Sequence, residues 1–310
     1  MQGEELASAT GRATVRLRLQ VAYDGRRFHG FVAQRAPLRT VASALADAIA
    51  KVVRLDSAPE LTCAGRTDAG VHAWDQWAHV DLPIAPKEAS DLGAPGDAGP
   101  SLARLALGGL DLGGLQRRLV KLLAPEIVVR SASLAPKGWD ARHSALSRTY
   151  RYTVLTSPVP DPFQAGVVWW APGELDLRAM QLASDAIVGE HDFSSFCRRQ
   201  RRANGEPISR VRRVLDAGWV QTAPGTVRFE VTANAFCQQM VRSLVGTLVD
   251  IGRGRRRAGE LSGVLRAQDR AAAGPLAPPD GLVLWHVAYP PEAEAEAEAL
   301  AEAEAVAGSG

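Results

Sequence analysis

The sequence predicts an α+β protein, and three observations carry the prediction. Strand and helix patterns are mixed along the chain without regular β-α-β alternation. Several short segments alternate apolar and polar residues with the period of two of a half-buried strand. Others repeat apolar residues three and four apart, the stripe of an amphipathic helix. The 310 residues are 46% hydrophobic and 23% charged, which excludes a chain disordered throughout.

Taken in order, residues 1–11 read as a flexible arm. Val15, Leu17, Leu19 and Val21 alternate with Arg16, Arg18 and Gln20 as a strand, and Asp24-Gly25 supplies a turn. Thr40 is placed to cap a helix running through Val53, with Val41, Leu45, Ala48 and Val52 along one face. The stretch from Pro83 to Gly114 is rich in Gly, Ala and Pro and reads as a loop insertion leading into a helix around Leu115 to Leu123. Glu126 to Leu134 and Arg148 to Leu155 follow as strands, the second with Tyr150, Tyr152 and Val154 on one face. Leu177 to Val188 reads as a helix. Val211 to Thr222 and Thr226 to Thr232 are strands joined at Pro224-Gly225. A long helix from Ala235 to Ile251, a shorter one near Arg257 to Arg266 and a strand from Leu282 to Tyr289 complete the order. The organisation expected is an N-terminal half, 12–138, a C-terminal half, 139–291, and a Glu/Ala tail, 292–310, solvated and disordered.

The net charge of +2 averages unlike parts: the tail holds six glutamates, and residues 1–291 without it carry +8. Of the basic residues, 32 are arginines and four are lysines. Such a body suits a phosphate-bearing partner, with codon bias as the bland alternative. Cys63, Cys197 and Cys237 are odd in number, widely spaced and free of any Cys-x-x-Cys pair. That argues against a disulfide framework or a thiolate zinc site and for a reducing cytoplasm. No stretch approaches the roughly 20 apolar residues of a membrane span, and residues 1–18 lack a signal-peptide layout.

Three strings could carry chemistry. In Cys63-Ala64-Gly65-Arg66-Thr67-Asp68-Ala69-Gly70-Val71-His72-Ala73, two glycines bracket an Arg-Thr-Asp core and let the backbone bring Asp68 to a surface. A carboxylate so presented can act as nucleophile or base; the plain alternative is a turn in which Asp68 caps its own backbone. From Asp140 to Tyr152, arginines and tyrosines interleave on entry to a strand, suited either to stacking a base beside phosphates or to a strand with one aromatic and one basic face. In Asn234 to Arg242, Arg242 falls where the apolar stripe predicts a partly buried side chain, which calls for an acidic partner.

Taken together these strings resemble the tRNA pseudouridine synthase A family, in order from about Leu17 to Tyr289. The resemblance is carried by Tyr23-Asp24-Gly25 with Phe28 and Gly30, and by Ala64 to His72, the most specific block. It continues in Ala141-Arg142 through Arg148, Tyr150 and Tyr152, then Asp192 to Phe196, Ala235-Phe236 with Met240-Val241-Arg242 and Gly246, and the ending Ala277-Pro278, Gly281-Leu282 and Val287-Ala288-Tyr289. It implies a pseudouridine synthase fold, two α+β halves whose antiparallel or mixed sheets meet at a central active-site cleft. It implies a homodimeric isomerase, without cofactor or metal, that breaks the N1–C1′ bond of a tRNA uridine and rejoins the base through C5, at positions 38–40 of the anticodon stem-loop. Asp68 would be the catalytic aspartate, Arg66 and Arg242 its support, and Tyr150 the ring packed on the uracil. Three roles are open to the carboxylate: attack on C1′, attack on the base, or removal of the C2′ proton. Phe31-Val32, Val41-Ala42 and Leu45-Ala46 depart from the family pattern and touch binding rather than chemistry.

Arg198, Arg199, Arg201, Arg202, Arg210, Arg212 and Arg213, opposed only by Glu206, give one loop a local charge of +6. Arg198, Arg199, Arg201, Arg202 and Arg210 are the expected contacts to the tRNA backbone. The rival readings are a sister synthase acting on another uridine and a non-catalytic tRNA-binding protein on the same scaffold.

Overall fold

The computed structural model describes residues 14–83, 107, 109, 111–201 and 204–291. The N-terminal arm, nearly all of the insertion before Asp111, Arg202 and the Glu/Ala tail lie outside them.

Strand β1 (Thr14–Tyr23) buries Leu17, Leu19 and Val21 completely while Arg16 and Gln20 stay half-exposed, as the alternation predicts, but Arg18 is buried too, its Nε donating to Ser133 Oγ at 2.8 Å. Helix α1 (Val41–Val53) starts where expected. The Thr40 hydroxyl accepts from Ser43 N at 3.1 Å and Ser43 Oγ accepts from Thr40 N at 3.1 Å, a reciprocal cap worth about 1 kcal/mol. Strands β2 (Leu61–Cys63) and β3 (His72–Pro83) flank the Gly-Arg-Thr-Asp string. Helix α2 (Leu112–Leu123) begins earlier than the sequence suggests, because Asp111 accepts from Gly114 N and makes Gly113 and Gly114 its first turn. Strands β4 (Ile127–Leu134), β5 (Ser147–Leu155) and the short β6 (Trp169–Trp170) lead to helix α3 (Leu177–Asp185). Then come β7 (Gly189–Asp192), β8 (Val211–Ala223), β9 (Thr226–Ala233), α4 (Met240–Gly252), α5 (Glu260–Ala267) and β10 (Leu282–Ala288).

The α+β class holds, with the two sheets fused into one. The path runs β4-β1-β3-β10-β5-β9-β8-β7, with β2 on β3 and β6 on β5. Pairing is antiparallel except at β5–β6 and at the seam between the halves, where β10 runs parallel to β3 with Val283 opposite His72 and Leu284 opposite Ala73. The helices contribute Leu45, Ile49, Leu115, Leu119, Met240, Leu244 and Leu248 to one buried apolar core with Leu17, Leu19, Tyr152, Phe229 and Val231 of the sheet.

The seam is clasped by Asp75. It accepts from Val287 N at 3.1 Å, from His286 Nδ1 at 2.9 Å and from Gln20 Nε2 at 2.8 Å. Beside it Trp74 and Trp285 stack with centroids 5.8 Å apart. Arg130 lies 4.3 Å over Trp74 and Arg151 lies 3.9 Å over Trp285, so cations close both ends of the stack.

Helix α4 begins at Met240, not Ala235. Gln239 sits in the left-handed region at φ 68, and residues 235–239 form a loop that reaches across to the Asp68 string. Helix α3 stops at Asp185, because Ala186 to Val188 turn back on Ala183, Ser184 and Asp185.

Candidate active site

The Asp68 loop occupies the seam, between β2 and the start of β3. It is held almost entirely by neutral hydrogen bonds and close backbone packing. Tyr23 and Thr67 share a hydroxyl hydrogen bond of 2.8 Å. Phe31 N donates to Thr67 O at 3.3 Å, and Gly70 N to Phe28 O at 3.2 Å. Gln76 brackets Gly65: its Oε1 accepts from Gly65 N at 3.2 Å and its Nε2 donates to Gly65 O at 2.6 Å. A side chain at Gly25 would start 2.1 Å from Val71 O, and one at Gly30, where φ is +90, would start 2.6 Å from Thr67 O. The Tyr-Asp-Gly opening block therefore exists to cradle the Asp68 loop, and only glycine fits at those two contacts.

Arg148 supports the same loop from β5. Buried and without an acidic partner among the described residues, it donates to Ala64 O at 2.8 Å, Arg142 O at 2.7 Å, Asn234 O at 2.9 Å and Ala145 O at 3.0 Å. Burial lowers its pKa, and four carbonyl dipoles keep its donors satisfied.

Asp68 itself is half-buried. Its Oδ1 accepts from Gln238 Nε2 at 3.1 Å. Its Oδ2 faces Arg242, with NH1 at 4.0 Å, while Arg242 Nε donates to Ala277 O at 2.8 Å. Burial lowers the Arg242 pKa and the Asp68 charge works against that shift. Arg242 thus meets the carboxylate by charge rather than by a hydrogen bond. Tyr150 is only 7% exposed. Its ring meets Phe236 edge-on at 4.9 Å, and its hydroxyl lies 3.7 Å from where a side chain at Gly65 would begin. Burial and the neighbouring Asp68 raise its pKa.

Asp68, Arg242 and Tyr150 are therefore brought together. Arg66 is exposed and makes no hydrogen bond or ion pair among the described residues. Arg198, Arg199 and Arg201 are exposed, and Arg210 is half-buried with its NH1 3.2 Å from Ser194 Oγ. A groove of about 550 Å³ opens beside Ala69 and Gly70, with Arg26, Arg27 and His29 on its rim. Sequence reasoning missed Gln76, Arg148 as a loop anchor, and Gln238. The only signal for Gln238 was its position one residue before the left-handed Gln239, which a periodicity search reads as helix.

Cys63 is free and buried, its thiol pushed up to about 11 by burial. Cys197 and Cys237 lie side by side, with Cα atoms 5.7 Å apart. The turn after Phe196 and the 235–239 loop pack side by side, tied by Arg198 N donating to Gln238 O at 3.0 Å, and 40 residues of separation hide that proximity. No helix among the described residues is long and apolar enough to cross a membrane.

A mixed sheet carrying an aspartate loop at its central seam, backed by an arginine and a tyrosine, defines the chain as a pseudouridine synthase; a family model described as tRNA pseudouridine synthase matches residues 183–290. Proteins named tRNA pseudouridine synthase A resemble it over nearly their whole length. That of Leifsonia xyli subsp. xyli is 40% identical over 290 residues, covering 92% of this chain and 95% of that protein. Those of Corynebacterium glutamicum and Frankia casuarinae are 39% and 41% identical, covering 89% and 90% of this chain and 90% and 91% of theirs. The chain belongs to the tRNA pseudouridine synthase A family.

Proposed function

We propose that this protein isomerises uridine to pseudouridine in the anticodon stem-loop of tRNA, at positions 38–40, with Asp68 as the catalytic group and a homodimer as the working form. The observation that carries the reading is the state of Asp68. A rigidly cradled loop at the centre of the sheet presents a half-buried carboxylate whose Oδ2 faces a guanidinium and accepts no hydrogen bond among the described residues.

Isomerisation requires the N1–C1′ bond to break, the uracil to turn, and a C5–C1′ bond to form. The C5 hydrogen leaves as a proton and N1 takes one up, so nothing is oxidised or reduced. Attack on C1′, attack on the base and removal of the C2′ proton all need an ionised carboxylate with one free oxygen, which Oδ2 provides. Arg242 steadies that charge at 4.0 Å. A uridine inside a stem must first leave its stack, and the tyrosine and phenylalanine edges at Tyr150 and Phe236 offer an apolar wall to receive it. Arg66, exposed one side of Asp68, and the exposed arginines 198, 199 and 201 supply cations for the flanking phosphates.

The test is release of tritium from C5-labelled uridine in tRNA. Wild-type protein is expected to release it, and Asp68→Asn to lose release while retaining tRNA binding. Full activity in Asp68→Asn would falsify the assignment. Mapping the modified uridines in tRNA from cells lacking the protein fixes the target positions, and pseudouridine still present at 38–40 would remove that part of the proposal.

A further inference from the structure

Gln238 has no part in the chemistry above, yet its side chain makes two hydrogen bonds, one of which fixes which way its amide faces. Nε2 donates to Asp68 Oδ1 at 3.1 Å, and Oε1 accepts from Gln200 Nε2 at 2.8 Å. The reverse orientation would set a carbonyl oxygen against the carboxylate, so the Asp68 contact selects the orientation and the exposed Gln200 amide follows it. The backbone is pinned at the same place. Arg198 N donates to Gln238 O at 3.0 Å, the Cα atoms of Cys197 and Cys237 lie 5.7 Å apart, and Gln239 holds φ 68, a costly conformation for a side chain larger than glycine's.

We propose that Gln238 is a positioning residue that sets which oxygen of Asp68 reacts, and that it ties the carboxylate to the arginine loop. The inference rests on the reading of Asp68 as the catalytic group. With Oδ1 engaged by the amide, Oδ2 is the oxygen turned toward Arg242 and left for the sugar or the base. A carboxylate rotates readily about its last bond, the torsion being broad and roughly two-fold. Misplacing a reacting atom by about 1 Å costs about 100-fold in rate. Gln200 stands between Arg199 and Arg201, so an RNA strand seated on those guanidiniums bears directly on the residue that holds the far end of the Gln238 amide.

The experiment measures single-turnover tritium release and, separately, tRNA affinity for the full chain. Gln238→Glu keeps the size of the side chain, removes the donor and sets a like charge against Asp68. Its rate is expected to fall about 100-fold with the tRNA Kd unchanged within about twofold. Gln238→His restores an N–H donor and is expected to recover to within about tenfold of wild type, while Gln200→Ala slows about threefold at unchanged affinity. A wild-type rate in Gln238→Glu, or a loss of affinity in step with rate, overturns the proposal. If Gln238→Glu fails to fold, the other two decide: a Gln238→His protein that folds but is as slow as Asp68→Asn, or a wild-type rate in Gln200→Ala, overturns it equally. Asp68→Asn runs in parallel. Full activity there removes the reading of Asp68 itself, whereas an inactive Asp68→Asn beside a wild-type Gln238→Glu removes only the role of Gln238.

Discussion

His72 and His79 are kept neutral by the atoms around them. Gly25 N donates to His72 Nδ1 at 3.2 Å and Ala141 N donates to His79 Nδ1 at 3.1 Å, so in each ring Nδ1 is the bare acceptor and Nε2 carries the hydrogen. His72 Nε2 reaches Gly166 O at 3.0 Å. The approach of Asp24 to His72 at 3.3 Å is then no ion pair, and burial lowers both pKa values below the ordinary 6.5. A group depressed in the fold binds its proton more readily in the unfolded chain, so stability is full above 6.5 and falls as the pH drops through that value. The carboxylates of Asp24 and Asp81, lowered by Arg26 and Arg16, add a second loss further into acid. The urea midpoint is therefore expected to fall between about pH 7.5 and about pH 5.5, less steeply in His79→Gln. A midpoint equal at both pH values would refute it. At this scale the sequence was legible where chemistry is local: the Asp68 loop and Arg242 stand out by residue type. Gln238 and Gln76 do not, since a glutamine amide in a sequence carries no sign of which backbone or carboxylate it will meet. Arg148 misleads in the opposite way, because the rule that a buried arginine needs a carboxylate fails where four carbonyls converge.

Among the elements, the Thr40-capped helix was readable, and the loops that interrupt helices were not. Asp111 also caps its helix, but Gly113 and Gly114 in the first turn disguised that start as loop. The start of α4 is set instead by the backbone of Gln239 and by the reach of its preceding loop toward Asp68. Strand β3 was hidden because Asp75, Gln76 and His79 are buried in it, which breaks the apolar alternation, and because its pairing with β1 shifts between Val21 and Tyr23. The arginine loop between β7 and β8 was legible by charge alone. Replacing Arg198, Arg199 and Arg201 by glutamine is expected to weaken tRNA binding and to flatten its dependence on salt, by about 0.7 to 0.9 in log–log slope for each phosphate no longer neutralised. A titration of Kd against salt checks it. An unchanged slope would discard the loop as a partner of the RNA backbone.

Across the whole molecule, the α+β class was legible from element order, whereas the joining of its strands into one sheet was not. Parallel pairing of β3 with β10 joins residues about 211 positions apart, a distance over which no local pattern reports. Asp75 is the buried residue that spans this junction, and removing it strands the Val287 N–H and the Gln20 amide. Asp75→Ala is expected to cost about 2 kcal/mol or more, read from urea unfolding, with both halves melting in a single transition. Two separated transitions would show that the halves are independent. The seam also decides where the effort of recognition falls. The sheet is hydrogen-bonded from β4 through to β7, with its Trp74–Trp285 stack bridging the join, so bending at its middle would break the β3–β10 ladder and part that stack. If the sheet keeps its shape on binding, the nucleic acid supplies the deformation, and under the proposed function stems that open cheaply at the target uridine are expected to be processed fastest.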